Sequence, residues 1–255
     1  MTDYEVYMSQ VLAQTSEKLS QFNGNQAEII ADIASRAKGS LVLPQEDQFL
    51  LGGLLGSMLH QQYCDGRRRE TPTENGLPNE PRIKVLTNPM DAEFANKVLS
   101  GEIPQSATVY TVGTVVHMDI ANTPFEQLSP YWQKDNFGAG MCAARSILSN
   151  WEGLTHSDPT VRKFVTVSVA NGIHESWIGR GNVGEWNANL DTAYINLPVD
   201  EQAKDLTHFT MAEGLIGALV QQMEQVEGAT PTLPKAQADG TIPPITVPTE
   251  TPAEA

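Results

Sequence analysis

The chain has 255 residues, a formal net charge of −15 and two cysteines. Its 16 basic residues, against 31 acidic ones, argue against a nucleic-acid partner, which needs a basic face for the phosphate backbone. Two cysteines are too few for a disulfide framework and no apolar run is long enough to span a bilayer, so we expect a cytoplasmic protein without a membrane segment.

Two helices are predicted at the start of the chain. Residues 3–20 place apolar side chains on one stripe at helical spacing. Asn25, with Glu28 three residues later, has the spacing of an N-cap and its capping-box partner, and it predicts a second helix that ends near Gly39. We assign residues 1–43 to this helical pair.

A longer helix is expected from Pro44 to the arginines at 67–69, with acidic residues in its first turn and basic residues at its end, as the helix dipole favours. Its glycines, Gly52, Gly53 and Gly56, lower helix propensity but permit close approach of another element. After a polar loop at 70–82, short strand patterns around RIKVLTN and VYTVGTVVHM predict a small β insertion.

Two further helices are predicted from the same N-terminal pattern, an N-cap residue followed by a proline. The N-cap residues are Ser129 and Asp158. The VTVSV run after Asp158 alternates as a strand would, but its alignment with the earlier helix favours a helix. The last long helix is predicted from Val199 to about Glu227. Residues 229–255 are acidic, Pro/Thr-rich and almost without aromatics, so we expect a disordered tail. The fold class is therefore mainly α with a small β component.

One pattern occurs twice, which indicates a supersecondary unit used twice, at 44–150 and 151–228. Its elements are a histidine, an aromatic residue three positions on, an aromatic-x-x-Leu motif, and Asn or Asp eight residues after that Leu. The residues are His60, Tyr63, Phe125, Leu128 and Asn136 in the first copy, and His174, Trp177, Tyr194, Leu197 and Asp205 in the second.

The second copy resembles the RyR repeat, a domain named for ryanodine receptors that also occurs in bacterial and phage proteins. The resemblance rests on H-x-x-W, a second tryptophan at Trp186, and the motif [YF]-x-x-L-[PS] followed by Asn or Asp. The chain departs from the family at Glu185, where glycine is usual, and in the short connection from Trp186 to Tyr194. The first copy lacks the second tryptophan and carries a long insertion before Phe125. The resemblance implies tandem helical repeats preceded by the N-terminal helical pair.

In ryanodine receptors, tandem repeats of this family hold an adenine nucleotide between them. The resemblance therefore implies a planar ligand stacked on Tyr63 and Trp177, with an arginine near each ring for an anionic group. Asn136 and Asp205 are the implied partners of the ligand's edge, although Asp205, in place of the commoner Asn, would repel a phosphate. The candidate ligand-binding residues are His60, Tyr63, Arg67, Asn136, His174, Trp177, Arg180, Trp186, Tyr194 and Asp205.

Catalytic and metal chemistry are not indicated by the sequence. It contains no GxSxG elbow, Walker loop or GxGxxG motif, and the His60–Cys64 spacing has no second ligand pair. His60 and His174 could be general bases, but a histidine at a helix end more often hydrogen-bonds a neighbouring loop. We expect a non-catalytic module that binds an adenine-nucleotide-like small molecule, without cofactor or metal. The alternatives are a structural or interaction protein, such as a phage protein, and an enzyme with an unrecognised histidine/carboxylate site. A homo-oligomer is compatible with each of these.

Overall fold

The computed structural model describes residues 2–227, apart from the side chains of Asn182, Glu185, Trp186 and Glu227, and the tail predicted at 229–255 lies outside the described residues. The described residues form seven α-helices and one three-stranded sheet, which confirms the expected fold class. The helices are α1 Asp3–Gln21, α2 Gln26–Ala37, α3 Gln45–Gly66, α4 Ala92–Leu99, α5 Pro130–Leu154, α6 Pro159–Trp177 and α7 Val199–Glu227. The strands are β1 Ile83–Val85, β2 Val109–Val112 and β3 Val115–Asp119. The VTVSV run lies in α6, as its alignment with the earlier helix predicts.

Five of the helices share one hydrophobic core. Its buried side chains include Ile33 of α2, Leu51 of α3, Ile147 of α5, Val169 of α6 and Ile216 of α7. Each such side chain contributes about 1.5–3 kcal/mol by leaving water. Because α2 packs on α7, it is built into the same core as both repeat segments, whereas α1 packs on α3 and α5 and buries Val11 and Leu12 in a separate cluster. No helix among those described is both long enough and apolar enough to cross a membrane.

The N-termini of α5 and α6 are capped in different ways. Asp158 Oδ1 accepts a hydrogen bond from the Thr160 backbone N–H at 2.7 Å, so this predicted N-cap is confirmed. Ser129 stands at the predicted N-cap of α5, but its hydroxyl makes no capping hydrogen bond. Asp91, from the β insertion, accepts from the Tyr131 backbone N–H at 2.9 Å instead. A carboxylate from a distant part of the chain therefore stabilises the start of α5.

Helices α3 and α5 cross in close contact. Gly52 and Gly56 of α3 face Gly140 of α5, and a Cβ atom on Gly140 would overlap the Gly52 carbonyl oxygen and the Gly56 nitrogen. The glycines of α3 thus permit the close approach that the sequence predicts. The second repeat has no such seam, because Ala170 and Phe209 stand at the positions that correspond to Gly56 and Gly140.

The β insertion of the first repeat is an antiparallel sheet with the strand order β1–β3–β2. Its hairpin turns at Gly113, whose φ of 62° is a left-handed conformation that glycine adopts without Cβ strain. One face of the sheet buries Met118 against Val98 of α4 and Phe125 of a 3₁₀ turn, Phe125–Gln127. Since that turn leads directly into α5, the insertion holds one end of the first repeat.

Candidate functional site

The two motif histidines lie at corresponding places, at the C-terminal ends of α3 and α6, and both are buried. His60 Nε2 lies 2.8 Å from the Thr123 carbonyl oxygen, and His174 Nε2 lies 3.0 Å from the Leu190 carbonyl oxygen. Because a carbonyl oxygen can only accept, each Nε2 carries a proton and donates it. Each histidine therefore connects its helix to the loop that precedes the second long helix of its repeat, α5 or α7.

Each imidazole packs against the aromatic ring three residues later. The ring centroids of His60 and Tyr63 are 6.1 Å apart at an interplanar angle of 30°, and those of His174 and Trp177 are 5.7 Å apart at 22°. The spacing of three residues places both rings of a pair on one helix face. Neither aromatic is a core residue, since Tyr63 is 38% exposed and Trp177 is half-buried.

A glutamine makes the third contact that the repeats share. Gln133 Nε2 donates to the Glu126 carbonyl oxygen at 3.2 Å, and its counterpart Gln202 donates to the corresponding Ile195 carbonyl oxygen at 3.4 Å. Each glutamine thereby holds the 3₁₀ turn that precedes its own helix, α5 or α7. The histidine, aromatic and glutamine contacts occur in the same order in both halves, as expected of one unit used twice.

The remaining imidazole nitrogen distinguishes the two repeats. His174 Nδ1 lies 3.1 Å from Asp205 Oδ2. The corresponding Asn136 instead donates its Nδ2 to the Trp132 carbonyl oxygen at 2.8 Å, within α5. Asn136 and Asp205, the implied partners of a ligand's edge, thus both make contacts inside the fold.

The His174–Asp205 pair holds one proton between its two facing atoms. Since Nε2 donates to Leu190, Nδ1 either donates to a carboxylate or accepts from a protonated carboxyl. Burial raises the pKa of Asp205 from 3.8 to about 6, and the nearby histidine acts in the opposite direction. Both arrangements carry the same number of protons and no net charge, which is what burial favours.

The corresponding site of the first repeat is neutral. Burial lowers the pKa of His60, against the smaller opposing effects of its hydrogen bond to Thr123 and of Glu126. Cys64 Sγ lies 3.5 Å from His60 Nε2, and burial raises the pKa of this thiol to about 11. A protonated thiol beside a neutral imidazole is not an activated nucleophile. Among the described residues, no three His, Cys, Asp or Glu side chains converge as metal ligands would.

Two arginines place positive charge at the Tyr63 ring. The Arg67 guanidinium lies 5.8 Å from the ring centroid and pairs with Glu80 at 3.5 Å. Arg82 is contributed by the β insertion. Burial raises the pKa of Tyr63, the charges of the nearby Arg67 and Arg82 lower it, and those of Cys64 and Asp119 raise it. The sequence pattern points to Arg67 but misses Arg82, because only the folding of the insertion brings it there.

Arg180 joins the two repeats. Its Nε donates to Asp135 Oδ1 on α5 at 3.2 Å, and its Nη1 donates to Ser176 Oγ on α6 at 2.8 Å. His208 of α7 lies at the same junction, where burial and the charge of Arg180 lower its pKa to about 4. Asp135 and His208 do not belong to the repeated pattern, and only the packing of α5, α6 and α7 brings them to Arg180.

The two other candidate aromatic residues are Tyr194 and Trp186. Tyr194 is buried in a small cluster with Ala170 and Leu197, and its backbone N–H donates to Asn171 Oδ1 at 3.1 Å. Its ring is therefore part of the packing of the second repeat. Trp186 lies in the 3₁₀ helix Glu185–Leu190, and its side chain is not among those described.

Two surface clefts lie away from the histidine–aromatic pairs. One, of 340 Å³, is formed by the end of α5 and the start of α6, with His156 and Val165 in its lining. The other, of 400 Å³, lies between residues 85–91 and the Tyr131 and Trp132 side chains. Neither includes Tyr63 or Trp177, so a ligand stacked on either ring would bind outside both clefts.

Asp205→Asn is expected to preserve the fold and to remove a pH dependence. The new amide Nδ2 can donate to His174 Nδ1 while Nε2 still donates to Leu190. The raised pKa of Asp205 means that its stabilising contribution is complete below pH 3.8 and is lost as the pH rises through about 6. In urea unfolding, the stability of Asp205→Asn relative to the wild type should therefore rise between about pH 5 and pH 7.5.

Asp205→Ala is the control for this prediction. It leaves His174 Nδ1 without a partner, and it should lose about 1–3 kcal/mol of stability where the asparagine variant does not. Parallel pH profiles for the wild type and Asp205→Asn would contradict the proton-holding role of the pair.

Comparison with protein-family models, with curated proteins and with solved structures returned no match to this chain. What can be said of its function therefore comes from the repeated contacts of its own residues.

Proposed function

We propose that the chain is a non-catalytic module of the cytoplasm, built from two RyR-like repeats, that binds a planar, anionic, nucleotide-like small molecule. One observation carries this proposal. Each repeat has a partly exposed aromatic ring, Tyr63 or Trp177, backed by a buried imidazole and with an arginine close by. Both cysteines are free and buried, which is compatible with the cytoplasm.

The chemistry of these pairs suits a planar heterocycle with an anionic group. Aromatic rings bind such a heterocycle by stacking, and a guanidinium near the ring edge can reach the anion. Arg67 and Arg82 both lie near Tyr63, where Arg67 pairs with the exposed Glu80 at 3.5 Å and Asp119 adds an opposing charge. Arg180, in the second repeat, pairs more closely, with Asp135 at 3.2 Å. We therefore place the anionic end of the ligand at the Tyr63 pair and its ring on either aromatic.

A binding role fits these residues better than a catalytic one. A general base needs an imidazole nitrogen that is free to take a proton. His174 uses both nitrogens, with Leu190 and Asp205. His60 uses Nε2 with Thr123 and is only 3% exposed, so the surrounding side chains keep its ring from a substrate. The imidazoles are therefore supports that fix the orientation of the neighbouring aromatic rings.

A nucleotide that binds the protein is expected to raise its melting temperature, and Tyr63→Ala should then weaken binding. Loss of one stacking aromatic costs about 1–3 kcal/mol of affinity, or roughly 5- to 150-fold in Kd. The measurement is thermal shift with nucleotides, nucleosides and cyclic nucleotides, followed by titration calorimetry on the ligand that shifts the wild type most. Trp177→Ala tests the second ring in the same way.

Tyr110→Ala is the matched control. Tyr110 is also half-buried and stacked on a histidine, His117, at 5.5 Å and 7°, but it lies on the sheet outside the repeated pattern. Ligand affinity should be unchanged in this variant. The proposal fails if no member of the panel shifts the wild type, or if Tyr110→Ala loses as much affinity as Tyr63→Ala.

A structural or interaction protein is the second candidate function. It is favoured by the hydrogen bonds of the motif histidines, which are all made inside the fold. In that case Trp177 serves packing alone, and Trp177→Ala should lose stability with no protection by any nucleotide. The loss should be smaller than the roughly 3–5 kcal/mol of a core tryptophan, because the ring is half-buried.

A further inference from the structure

The second repeat has an apolar surface that remains exposed among the described residues. Phe164, Ile195 and Val167 are 75%, 70% and 37% exposed. Phe164 and Val167 lie on α6, and Ile195 follows Tyr194, whose backbone N–H donates to Asn171 Oδ1 on α6. Since Phe164 and Asn171 are seven residues apart, they share one side of the helix. We call this surface, made of Phe164, Val167 and Ile195, the α6 face.

The first repeat shows that this side of the helix is a packing surface. The α3 residues that correspond to Phe164 and Val167 are Leu50, which is 1% exposed, and Gly53, against which α1 packs Thr15. Among the described residues, the second repeat has no counterpart of α1. The α6 face therefore lacks the covering helix that the same side of α3 has.

The charges at the two ends of the α6 face are opposite. Lys163 is exposed at its N-terminal end and makes no ion pair with any described residue. Asp158, at the same end, is engaged as the N-cap of α6. At the C-terminal end, Glu175 and Asp191 are exposed and negative. A surface with positive charge at one end and negative charge at the other is complementary to a copy of itself related by a two-fold rotation.

We propose that the α6 face binds a second copy of the chain, with the two α6 helices antiparallel across a two-fold axis. Phe164 and Asn171 are about 10.5 Å apart along the helix, with Val167 midway between them. An axis at Val167 therefore brings Phe164 of one protomer to the level of the partner's Asn171, beside the partner's Ile195. Lys163 then lies about 6 Å along the helix from the level of the partner's Glu175, a distance that a lysine side chain can span.

The spacing and the charges both select a second copy as the occupant. The two-fold rotation brings Phe164 of each protomer opposite the partner's Ile195. Each phenyl group therefore contacts an isoleucine, and the same contact is made twice. The net charge of −15 per chain opposes association at low salt, and ions screen this repulsion beyond about 8 Å at physiological ionic strength. The short-range contacts of the apolar centre are not screened.

The full chain is expected to sediment as a dimer at about 100 µM, a concentration well above a micromolar Kd. Phe164→Asp should raise the dimer Kd by about 100-fold or more, because a two-fold interface loses two buried phenyl groups at roughly tenfold each. Val112→Asp is the matched control. Val112 is 59% exposed on the β insertion, away from α6, so its substitution should leave the Kd unchanged.

A charge exchange tests the orientation of the two copies. Lys163→Glu should weaken the dimer, and the double variant Lys163→Glu/Glu175→Lys should restore it, because each changed residue again meets an opposite charge. All four variants alter exposed side chains and should melt at the wild-type temperature when monomeric. A monomeric wild type, or a dimer that Phe164→Asp and Val112→Asp affect equally, would overturn the proposal. Failure of the double variant to restore the dimer would overturn the antiparallel arrangement.

Discussion

Gly140→Ala is expected to lower the free energy of unfolding by about 2–3 kcal/mol, although alanine is the better helix former. The added Cβ would meet the Gly52 carbonyl oxygen and the Gly56 nitrogen. These are backbone atoms of α3 and cannot rotate away, so α3 and α5 would have to separate. The separation would loosen the most extensive helix contact of the described residues. Urea unfolding followed by circular dichroism measures the loss.

The same substitution at Gly214 is the control for this prediction. Gly214 lies in the interior of α7, and a Cβ atom there would meet no atom within 4 Å. Gly214→Ala should therefore raise stability by about 0.5–1 kcal/mol, because alanine has less backbone entropy to lose in a helix. A gain of stability in both variants would show that α3 and α5 are further apart than the structure has them.

His174→Ala is expected to lower the free energy of unfolding by about 3–5 kcal/mol, the usual result of removing one partner of a buried ion pair. It leaves the buried Asp205 carboxyl without its partner and the Leu190 carbonyl without its donor. His60→Ala should lose less, about 1–3 kcal/mol, because it strands only the Thr123 carbonyl oxygen. Parallel chemical denaturation of the two variants compares these losses.

The pH dependence of the His174→Ala loss identifies its cause. Without the imidazole, the buried carboxyl of Asp205 is stable only in its protonated form. The loss should therefore be larger at about pH 7.5 than at about pH 5, where the carboxyl can take up a proton. An equal loss at both values would mean that the missing packing of the ring, and not the unpaired acid, causes the destabilisation.

Much of the helical framework follows from short-range patterns. Asp158 before Pro159 predicts the start of α6, and Pro198 and Gly228 on either side predict α7 with the bounds Val199–Glu227 that the structure has. These features depend on neighbours within one helical turn, so a single sequence contains them. The pairing of each motif histidine with the aromatic three residues later is local in the same way.

Contacts between distant parts of the chain could not be predicted from these patterns. Nothing near Ser129 indicates that Asp91 would cap α5 from the insertion. The approach of Arg82 to Tyr63 and of Asp135 to Arg180 likewise depends on packing between elements. The sequence identifies Asp205 as a polar position of the motif, but only the fold shows that its carboxyl belongs to His174.

The position of α7 also has a consequence for the order in which the protein can be made. Ile33 of α2 belongs to the same core as Ile216 and Met223, near the end of the last helix. At the usual rate of protein synthesis, the ribosome needs on the order of 10–40 s to add the intervening residues. During this time the apolar stripe of α2 cannot reach its final partner, however early α2 itself forms. A nascent chain that stops before α7 therefore exposes Ile29 and Ile33, and the packing of α2 is completed only when the last helix is made.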